Sequence, residues 1–467
     1  MVNILKRRSI DSTKGPILSQ FILFAIPIAV GGIIQTLFNA ADMIVLGNFA
    51  SSVQVGSVGA TTVIISLLVQ TCIGLSGGAQ VVLSQAFGEG DRDKIRKVSN
   101  TTLWIAIALG VIVTAVSIPV SEPLLRMTKC PTECFVDAAL YMKIYFAATP
   151  AIMIYNYGGA IIRASGDSQR PLYYLIASGI LNVVMNFVLC IILPQKVMAV
   201  AIATLSSQVL GATLVVIHLI KTDGAFKLIL KGFLPDVKIL SKIMLLGIPC
   251  ALSTALYPIS NLQIQSAINS FGASATAGNA AATSIEGFVF CFNGAFGTAA
   301  LTFVGQNYGA KKPERIRQIV RKCILFCGLV GLIIGYATLF LGRFMLIPFV
   351  PDDPSAVDYG MVRFRYLLTV FFITTCNNVL SNTLAAFGYT AINTATSVVT
   401  VFGLRMVWMA FIYPIFPTFE VLFQCYTVSW TLSFAANLVT FLIVYPRKIK
   451  RLSSVSAEGP IASTPID

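Results

Sequence analysis

Apolar runs long enough to cross a bilayer recur from one end of this chain to the other, and no other feature limits its fold as severely. Crossing about 30 Å of hydrocarbon takes roughly 17 to 25 predominantly apolar residues. Twelve windows meet that requirement: 17–48, 53–86, 98–119, 135–162, 171–193, 197–220, 240–269, 276–305, 319–341, 359–387, 391–413 and 420–445. Only 11% of the residues are charged, against about 25% in an ordinary soluble domain, which removes the globular class. The expected fold is an all-α polytopic membrane protein of twelve helices. Several windows exceed the length a bilayer needs, so tilted, kinked or projecting helices are expected.

The net charge of +14 would suit a nucleic-acid partner if the basic residues shared a surface. They fall instead in alternate loops. With the N-terminus inside, the cytoplasmic segments hold Lys6, Arg7, Arg8, Lys14, Arg92, Lys94, Arg96, Lys97, Arg163, Arg170, Lys221, Lys227, Lys231, Lys238 and Lys242. They also hold Lys311, Lys312, Arg315, Arg317, Arg321, Lys322, Arg447, Lys448, Lys450 and Arg451, making 25 of the 33 Lys and Arg. The opposite loops keep only Arg126, Lys129, Lys196 and Arg343, while Lys143, Arg363, Arg365 and Arg405 lie within or at the edge of spans. A basic excess marks the cytoplasmic side. Both termini are therefore expected in the cytoplasm of a multi-pass plasma (inner) membrane protein, with the lipid bilayer as its surroundings and no nucleic acid as partner.

The first apolar run is too long for a signal peptide and lacks a small-residue cleavage site, so it counts as the first span. The ten cysteines show no metal-ligand spacing, and His218 is the only histidine. Cys130 and Cys134, in an external "KCPTEC", are close enough in sequence to bridge in an oxidising compartment. The tail "LSSVSAEGPIASTPID" is polar and Pro-containing, and is expected to be disordered.

The chain repeats itself at an offset of about 221 to 222 residues. "AIPIAV" at Ala25 meets "GIPCAL" at Gly247, and "ATT" at Ala60 meets "ATS" at Ala282. "SQAFGEGDRDKIRKV" at Ser84 meets "GQNYGAKKPERIRQI" at Gly305, pairing Gln85 with Gln306 and Gly88 with Gly309. Each copy carries six spans, an even number, so the two enter the membrane in one orientation and are parallel repeats about an axis along the membrane normal. The division is a cytoplasmic segment at 1–16, an N-lobe at 17–220, a cytoplasmic linker at 221–239, a C-lobe at 240–445 and a basic cytoplasmic tail at 446–467. Parallel-repeat transporters use the cleft between such lobes for alternating access. Pro27 and Pro249, at matched repeat positions inside apolar helices, are expected to bend them.

Of nineteen acidic residues only Asp42 and Glu286 sit well inside spans. An ionised carboxylate at mid-bilayer costs roughly 2.5 to 3.5 kcal/mol, so such a residue faces protein or water and tends to be functional. Gln35, Asn39 and Asp42 follow i, i+4, i+7 spacing and share a helix face. The fifth span offers Asn182 and Asn186, and the sixth Thr204, Ser207 and Gln208. Oxygens from three helices of one lobe could converge on a small cation, or solvate a carboxyl that gains and loses a proton. Asn, Gln and Thr also serve as plain interhelical hydrogen bonders. Glu286 aligns with Ile64 or Ile65 rather than Asp42, so the lobes have diverged chemically. Arg405, in "GLRMVWM", either neutralises a partner or anchors its helix. Gln35, Asn39, Tyr141, Glu286 and Arg405 are the candidate substrate-cavity residues, with Phe38, Tyr155, Phe187, Tyr257 and Phe290 as further aromatic candidates.

Taken with "NAADMIVLGN", "GGAQVVLSQAFGEGD", "FVGQNYGAKKPE", "IIRASGDSQRP" and "LNVVMNFVL" in their order and spacing, the sequence resembles the multidrug and toxic compound extrusion (MATE) family over all twelve spans, from about Gly15 to Lys448. The resemblance implies a secondary exporter that exchanges organic, often cationic, compounds for Na+ or H+. It also implies a cation site at Asp42, Asn182, the position of Asn186, and Thr204, with Na+ as the metal if one is used. Asn186 stands where the better-known pattern has Asp, while Tyr257 and Asn377 stand where another branch carries acids. No cofactor beyond the coupling ion is expected, and the unit is expected to work as a monomer on small organic substrates.

Three other readings compete. A flippase for lipid-linked precursors would need a large basic cavity, and Arg405 as the single intramembrane arginine argues against one. An enzyme would need a nucleophile, an acid–base pair or a metal cluster, and no such constellation appears in the sequence. A channel would share the architecture but not move its cargo against a gradient.

Overall fold

The computed structural model describes residues 9–128, 130–229 and 234–457. Lys6, Arg7, Arg8, Lys129, Lys231 and the tail from 458 onward lie outside the described residues. The first repeat holds α1 (Ile17–Phe49), α2 (Ser52–Glu89), α3 (Arg92–Met127), α4 (Thr132–Ala147), α5 (Thr149–Ala164), α6 (Gln169–Ile192) and α7 (Lys196–Lys221). The second holds α8 (Val237–Asn269), α9 (Ala273–Gly309), α10 (Pro313–Leu346), α11 (Pro354–Leu368) and α12 (Phe371–Ala386). It then continues through a span that opens as α13 (Thr390–Ser397), contains α14 (Leu404–Val407) between two π-helical stretches (Val398–Gly403 and Trp408–Ile412), and is followed by α15 (Phe419–Ala457). Hydrocarbon leaves backbone N–H and C=O groups no partner but each other, which explains the near-exclusive use of helix. The ends that reach water carry polar caps. Ser51 and Gln54 form a capping box on α2, and Asp91, Asp236 and Asp353 accept from the first N–H groups of α3, α8 and α11.

Among the described residues, ten helical elements are long and apolar enough to cross a membrane, and two bent pairs raise the number to twelve. The bent pairs correct the sequence windows 135–162 and 359–387: α4 meets α5 at 42°, and α11 meets α12 at 44°. Pro150, at the start of α5, explains the first break, because it has no N–H to continue the ladder. The second break, before Phe371, has no proline. Its position is matched instead by tertiary packing. Gly110 of α3 abuts the backbone of Pro150, and its repeat mate Gly331 of α10 abuts that of Phe372. A second correction concerns the tail. Helix α15 runs on to Ala457, so residues 446–457 are helical, not disordered. Ile449 and Leu452 pack on the core formed by α9 and α12, while Lys448 reaches over the rings of Tyr308 and Tyr389. Cys130 and Cys134 are free thiols.

The packing also departs from the sequence division into lobes at the start of each repeat. Ile17, Phe21, Phe24 and Ala25 of α1 are buried in the C-lobe core against Phe296, Ala299, Phe303 and Val304 of α9. Farther along the same helix, Val45 and Leu46 are buried in the N-lobe core with Val197 and Val200 of α7. The repeat mate α8 does the converse: Ile243, Leu246 and Ala251 pack among Leu75, Ala79 and Val82 of α2, whereas Ile264 and Ile268 pack with α15. Each helix therefore begins in one lobe and ends in the other, with Pro27 and Pro249 near the hand-over.

The lobes meet most closely at the end bearing the basic loops. There a Cβ added to Gly88 would lie 1.9 Å from the carbonyl oxygen of Gln306, and one added to Gly309 would lie 2.0 Å from that of Gln85. The side chains of the same two glutamines cross between lobes. Gln85 Nε2 donates to the carbonyl of Ala386 at 2.8 Å, and Gln306 Nε2 donates to that of Ala164 at 2.7 Å. Gln80 adds a further bond across the seam, donating to Thr302 at 3.0 Å. The segment before α1 straps the seam shut. Ile10 N donates to Gly166 O in the N-lobe. Buried Ser12 donates to Gln306 Oε1 at 2.5 Å, and its carbonyl accepts from Arg315 and Asn307 of the C-lobe.

Contact this tight leaves a methyl group no room, so Gly88→Ala is expected to wedge the seam and destabilise the protein by about 1–3 kcal/mol, the usual cost of overpacking. Gly59→Ala, on the same helix with no atom within 4 Å of the added carbon, is the control. Thermal unfolding of both variants in detergent checks this, and equal midpoints would contradict it.

Candidate functional site

A cavity of about 440 Å³ opens in the N-lobe bundle. It lies in the half of the lobe remote from the seam, walled by α1, α2, α4, α6 and α7, with Pro258 of α8 as its C-lobe contact. Its floor is apolar and its lining is dotted with oxygen. Gln35, Asn39 and Asp42 present the polar face of α1 to it, as their spacing requires, and Tyr141, Asn182, Thr204, Ser207 and Gln208 complete that set from three other helices.

Asp42 is half-buried. Asn186, fully buried behind it, donates through Nδ2 to Asp42 Oδ1 at 2.5 Å and to Asn182 Oδ1 at 3.3 Å. One amide thus ties the carboxylate to its neighbour one turn away on α6. The charge-assisted bond is the stronger of the two. Asn186 Oδ1 and Thr204 Oγ1 are both buried without a hydrogen-bond partner. A buried polar atom left unpaired is costly, and here two oxygen acceptors stand unused in the helices that face a carboxylate. Hard cations take oxygen ligands, so Asp42, Asn182, Asn186 and Thr204 form a set that fits Na+; a proton on Asp42 would neutralise the same charge.

The C-lobe candidates are elsewhere. Glu286 does not line the cavity: it is buried and gripped by Arg363 through bonds of 3.0, 3.1 and 2.7 Å, while Arg363 Nη1 donates to Asn279 at 2.8 Å. Sequence reasoning left Arg363 at a span edge because its partner lies 77 residues away. Its burial makes Arg405 one of two arginines inside the C-lobe, not the only one. Arg405 also does not line the cavity; it is enclosed among α8, α15 and the ring of Tyr426. Of the aromatics, Phe38 and Tyr141 reach the cavity. Phe187 packs outward on Phe49, Phe290 packs on Phe371 and Trp430, and Tyr155 donates to Pro171 O. Asn377 is engaged with Ser433 and Asn437.

Two parts of the cavity wall went unread. Thr62, Ser66 and Gln70 line it from α2 at i, i+4, i+8, a helical spacing like that of the α1 stripe. Tyr145 lies one turn after Tyr141, their rings 6.1 Å apart. Both signals were in the sequence.

Comparison with known proteins gives a consistent result. The family model MatE matches residues 27–188 and again 249–412, one match per repeat. The probable multidrug resistance protein YoeA of Bacillus subtilis (strain 168) is 23% identical, with 91% of each chain covered. The multidrug export protein MepA of Staphylococcus aureus (strain NCTC 8325 / PS 47) is 22% identical over 92% of this chain and 94% of its own. Among solved structures, a crystal structure of MATE in the bent conformation superposes with a TM-score of 0.85 at 20% identity, covering 96% of this chain and all of that one. A MOP superfamily transporter from Pyrococcus furiosus superposes at 0.84 with 21% identity, over 96% of this chain and all of its own.

The two lobes should answer differently to substitution. Glu286→Gln strands a buried guanidinium and is expected to cost about 3–5 kcal/mol. Thr204→Val removes an unpaired buried hydroxyl and, in buffer without Na+, is expected to leave the fold as stable or firmer by up to about 1–3 kcal/mol. Thermal unfolding of both variants reads the contrast, and a stable Glu286→Gln protein would refute the structural role assigned to the pair.

Proposed function

The chain belongs to the MatE family, and from that premise we propose that it is an ion-coupled antiporter that exports organic, often cationic, compounds in exchange for H+ or Na+. It is a multi-span membrane transporter and not an enzyme. We place it in the plasma membrane with both termini in the cytoplasm, by the side on which its basic loops gather, and treat one chain as the working unit.

The observation that carries this reading is Asp42, a carboxylate in the wall of a cavity, held by Asn186 and faced by unpaired oxygens. Among the described residues it is the only acidic side chain in that wall. A charge there is expensive to keep bare, so it is neutralised by a cation, whether proton, Na+ or cargo. The consequence of neutralisation travels along α1. The helix carries Asp42 in its N-lobe half and Phe21 and Phe24 in the C-lobe core. A shift of α1 at Asp42 is thus felt by the other lobe, across Pro27, where the backbone lacks one hydrogen bond.

Opening the basic end would mean parting the Gln85 and Gln306 bonds and the Ser12 strap. Energy for that cycle comes from the ion gradient: one charge moved through 100 mV supplies about 2.3 kcal/mol, and about 1.4 kcal/mol corresponds to a tenfold concentration ratio.

Efflux of a fluorescent organic cation from energised vesicles, with insertion verified, tests the assignment. Asp42→Asn is expected to abolish coupled efflux while the protein remains folded; undiminished efflux would overturn the role of Asp42. Imposing Na+ and pH gradients separately then identifies the coupling ion.

A further inference from the structure

Two arginines stand inside the C-lobe, and a single carboxylate answers them. Glu286 is committed to Arg363 by the three bonds already described. Arg405, 1% exposed, has no acidic partner within salt-bridge distance among the described residues. Its Nε donates to Ser429 Oγ at 3.3 Å, and its Nη1 donates to Ser260 Oγ at 3.3 Å and Asn261 Oδ1 at 3.1 Å. All three acceptors are neutral, and none supplies a negative charge. Ser429 and Ser260 donate to the carbonyls of Tyr426 and Tyr257, and Asn261 Oδ1 accepts from the Tyr426 hydroxyl. Nη2, which carries two more N–H groups, has no hydrogen-bond partner among the described residues.

The only other response to this charge is the face of Tyr426, whose centroid lies 4.1 Å from Arg405 Cζ. That ring is shared, since Arg363 Cζ lies 5.8 Å from the same centroid. A cation–π contact recovers less than the desolvation of a buried guanidinium removes. The arrangement therefore lacks one anion. Local backbone points the same way: Arg405 sits on α14, a single turn between two π-helical stretches. Such stretches interrupt regular helix and recur at functional sites.

We propose that Arg405 is the centre of an anion site in the C-lobe, taking one monovalent anion on its unpaired Nη2. The anion is either a halide from solution or the carboxylate of a cargo molecule, two sources of the same chemistry. Asn261 is the outer neighbour of the site and is exposed. Pro258, three residues before it on α8, closes the Asp42 cavity on the C-lobe side. The two lobes then carry opposite charges, with a carboxylate of α1 in the cavity wall and a guanidinium behind α8. Cargo that carries both an ammonium and a carboxylate group fits that polarity.

The test needs no transport, so it stands or falls apart from the antiport reading. Crystals of the full chain grown with bromide as the only halide are expected to show an anomalous peak at hydrogen-bonding distance from Arg405 Nη2. In parallel, thermal unfolding is measured in sodium chloride, sodium acetate and sodium HEPES at one ionic strength, the HEPES anion being far bulkier than the other two. A saturable rise of the midpoint in chloride alone assigns a halide site, and a rise in acetate assigns a carboxylate site; both are expected to vanish in Arg405→Gln. No bromide peak together with equal midpoints in the three salts overturns the proposal, as does a rise that persists in Arg405→Gln. If that variant does not fold, the bromide map and the wild-type midpoints decide.

Discussion

Everything in this molecule depends on two helices touching backbone to backbone at Gly88 and Gly309. In lipid there is no hydrophobic gain from joining one apolar helix to another, so association relies on close packing and on hydrogen bonds that the approach permits. The glycines supply the approach, and Gln85 and Gln306 then reach the carbonyls of Ala386 and Ala164 across the seam. Because the two copies are related by an axis, these interactions come in pairs, and Gln80 adds one more bond to Thr302. At the Gly88–Gly309 contact a few directional bonds join the lobes, beside the apolar starts of α1 and α8 that each lobe buries from the other.

Duplication set the scaffold, and divergence loaded it unevenly. In the N-lobe the buried polar groups are oxygens around one carboxylate, with acceptors to spare. In the C-lobe, Glu286 is neutralised by Arg363, and the remaining charge is positive. The Glu286–Arg363 pair is better understood as a strut than as a titrating site, since removing either partner strands a charge in low dielectric. The crossing of α1 and α8 joins these unequal halves. Neither lobe can rearrange its first helix without moving the start of that helix in the core of the other.

Much of this was legible in the sequence because its signals are local or periodic. Span positions follow from hydropathy, the copies from a fixed offset, and the face holding Gln35, Asn39 and Asp42 from helical spacing. Gln85, Gln306, Gly88 and Gly309 stood out as repeat matches before their contact was seen. What was not legible is what depends on distant partners. The break before Phe371 has no proline to announce it and arises where α10 and α12 pack at Gly331. Glu286 read as a candidate cavity carboxylate because Arg363 meets it only in three dimensions. Helix α15 extends past the lipid because Ile449 and Leu452 find a core to cover, which no composition rule for a polar tail anticipates.

For the exchange proposed above, it matters that Asp42 is the one carboxylate in the cavity wall among the described residues. Asp42 has one charge, and Asn186 already occupies one of its oxygens. A coupling cation and a cationic cargo that both depend on this charge cannot both be held by it, so the arrival of one favours the departure of the other. Mutual exclusion at one group is sufficient for antiport, provided the bare carboxylate is too costly to persist through the crossing. Two acids in the lobe would relax that constraint, because each ligand could keep its own charge. On the antiport proposed above, an amide at position 186 does more than remove a proton site: exchange would then depend on a single electrostatic event, whose effect α1 would carry from the N-lobe cavity into the C-lobe core.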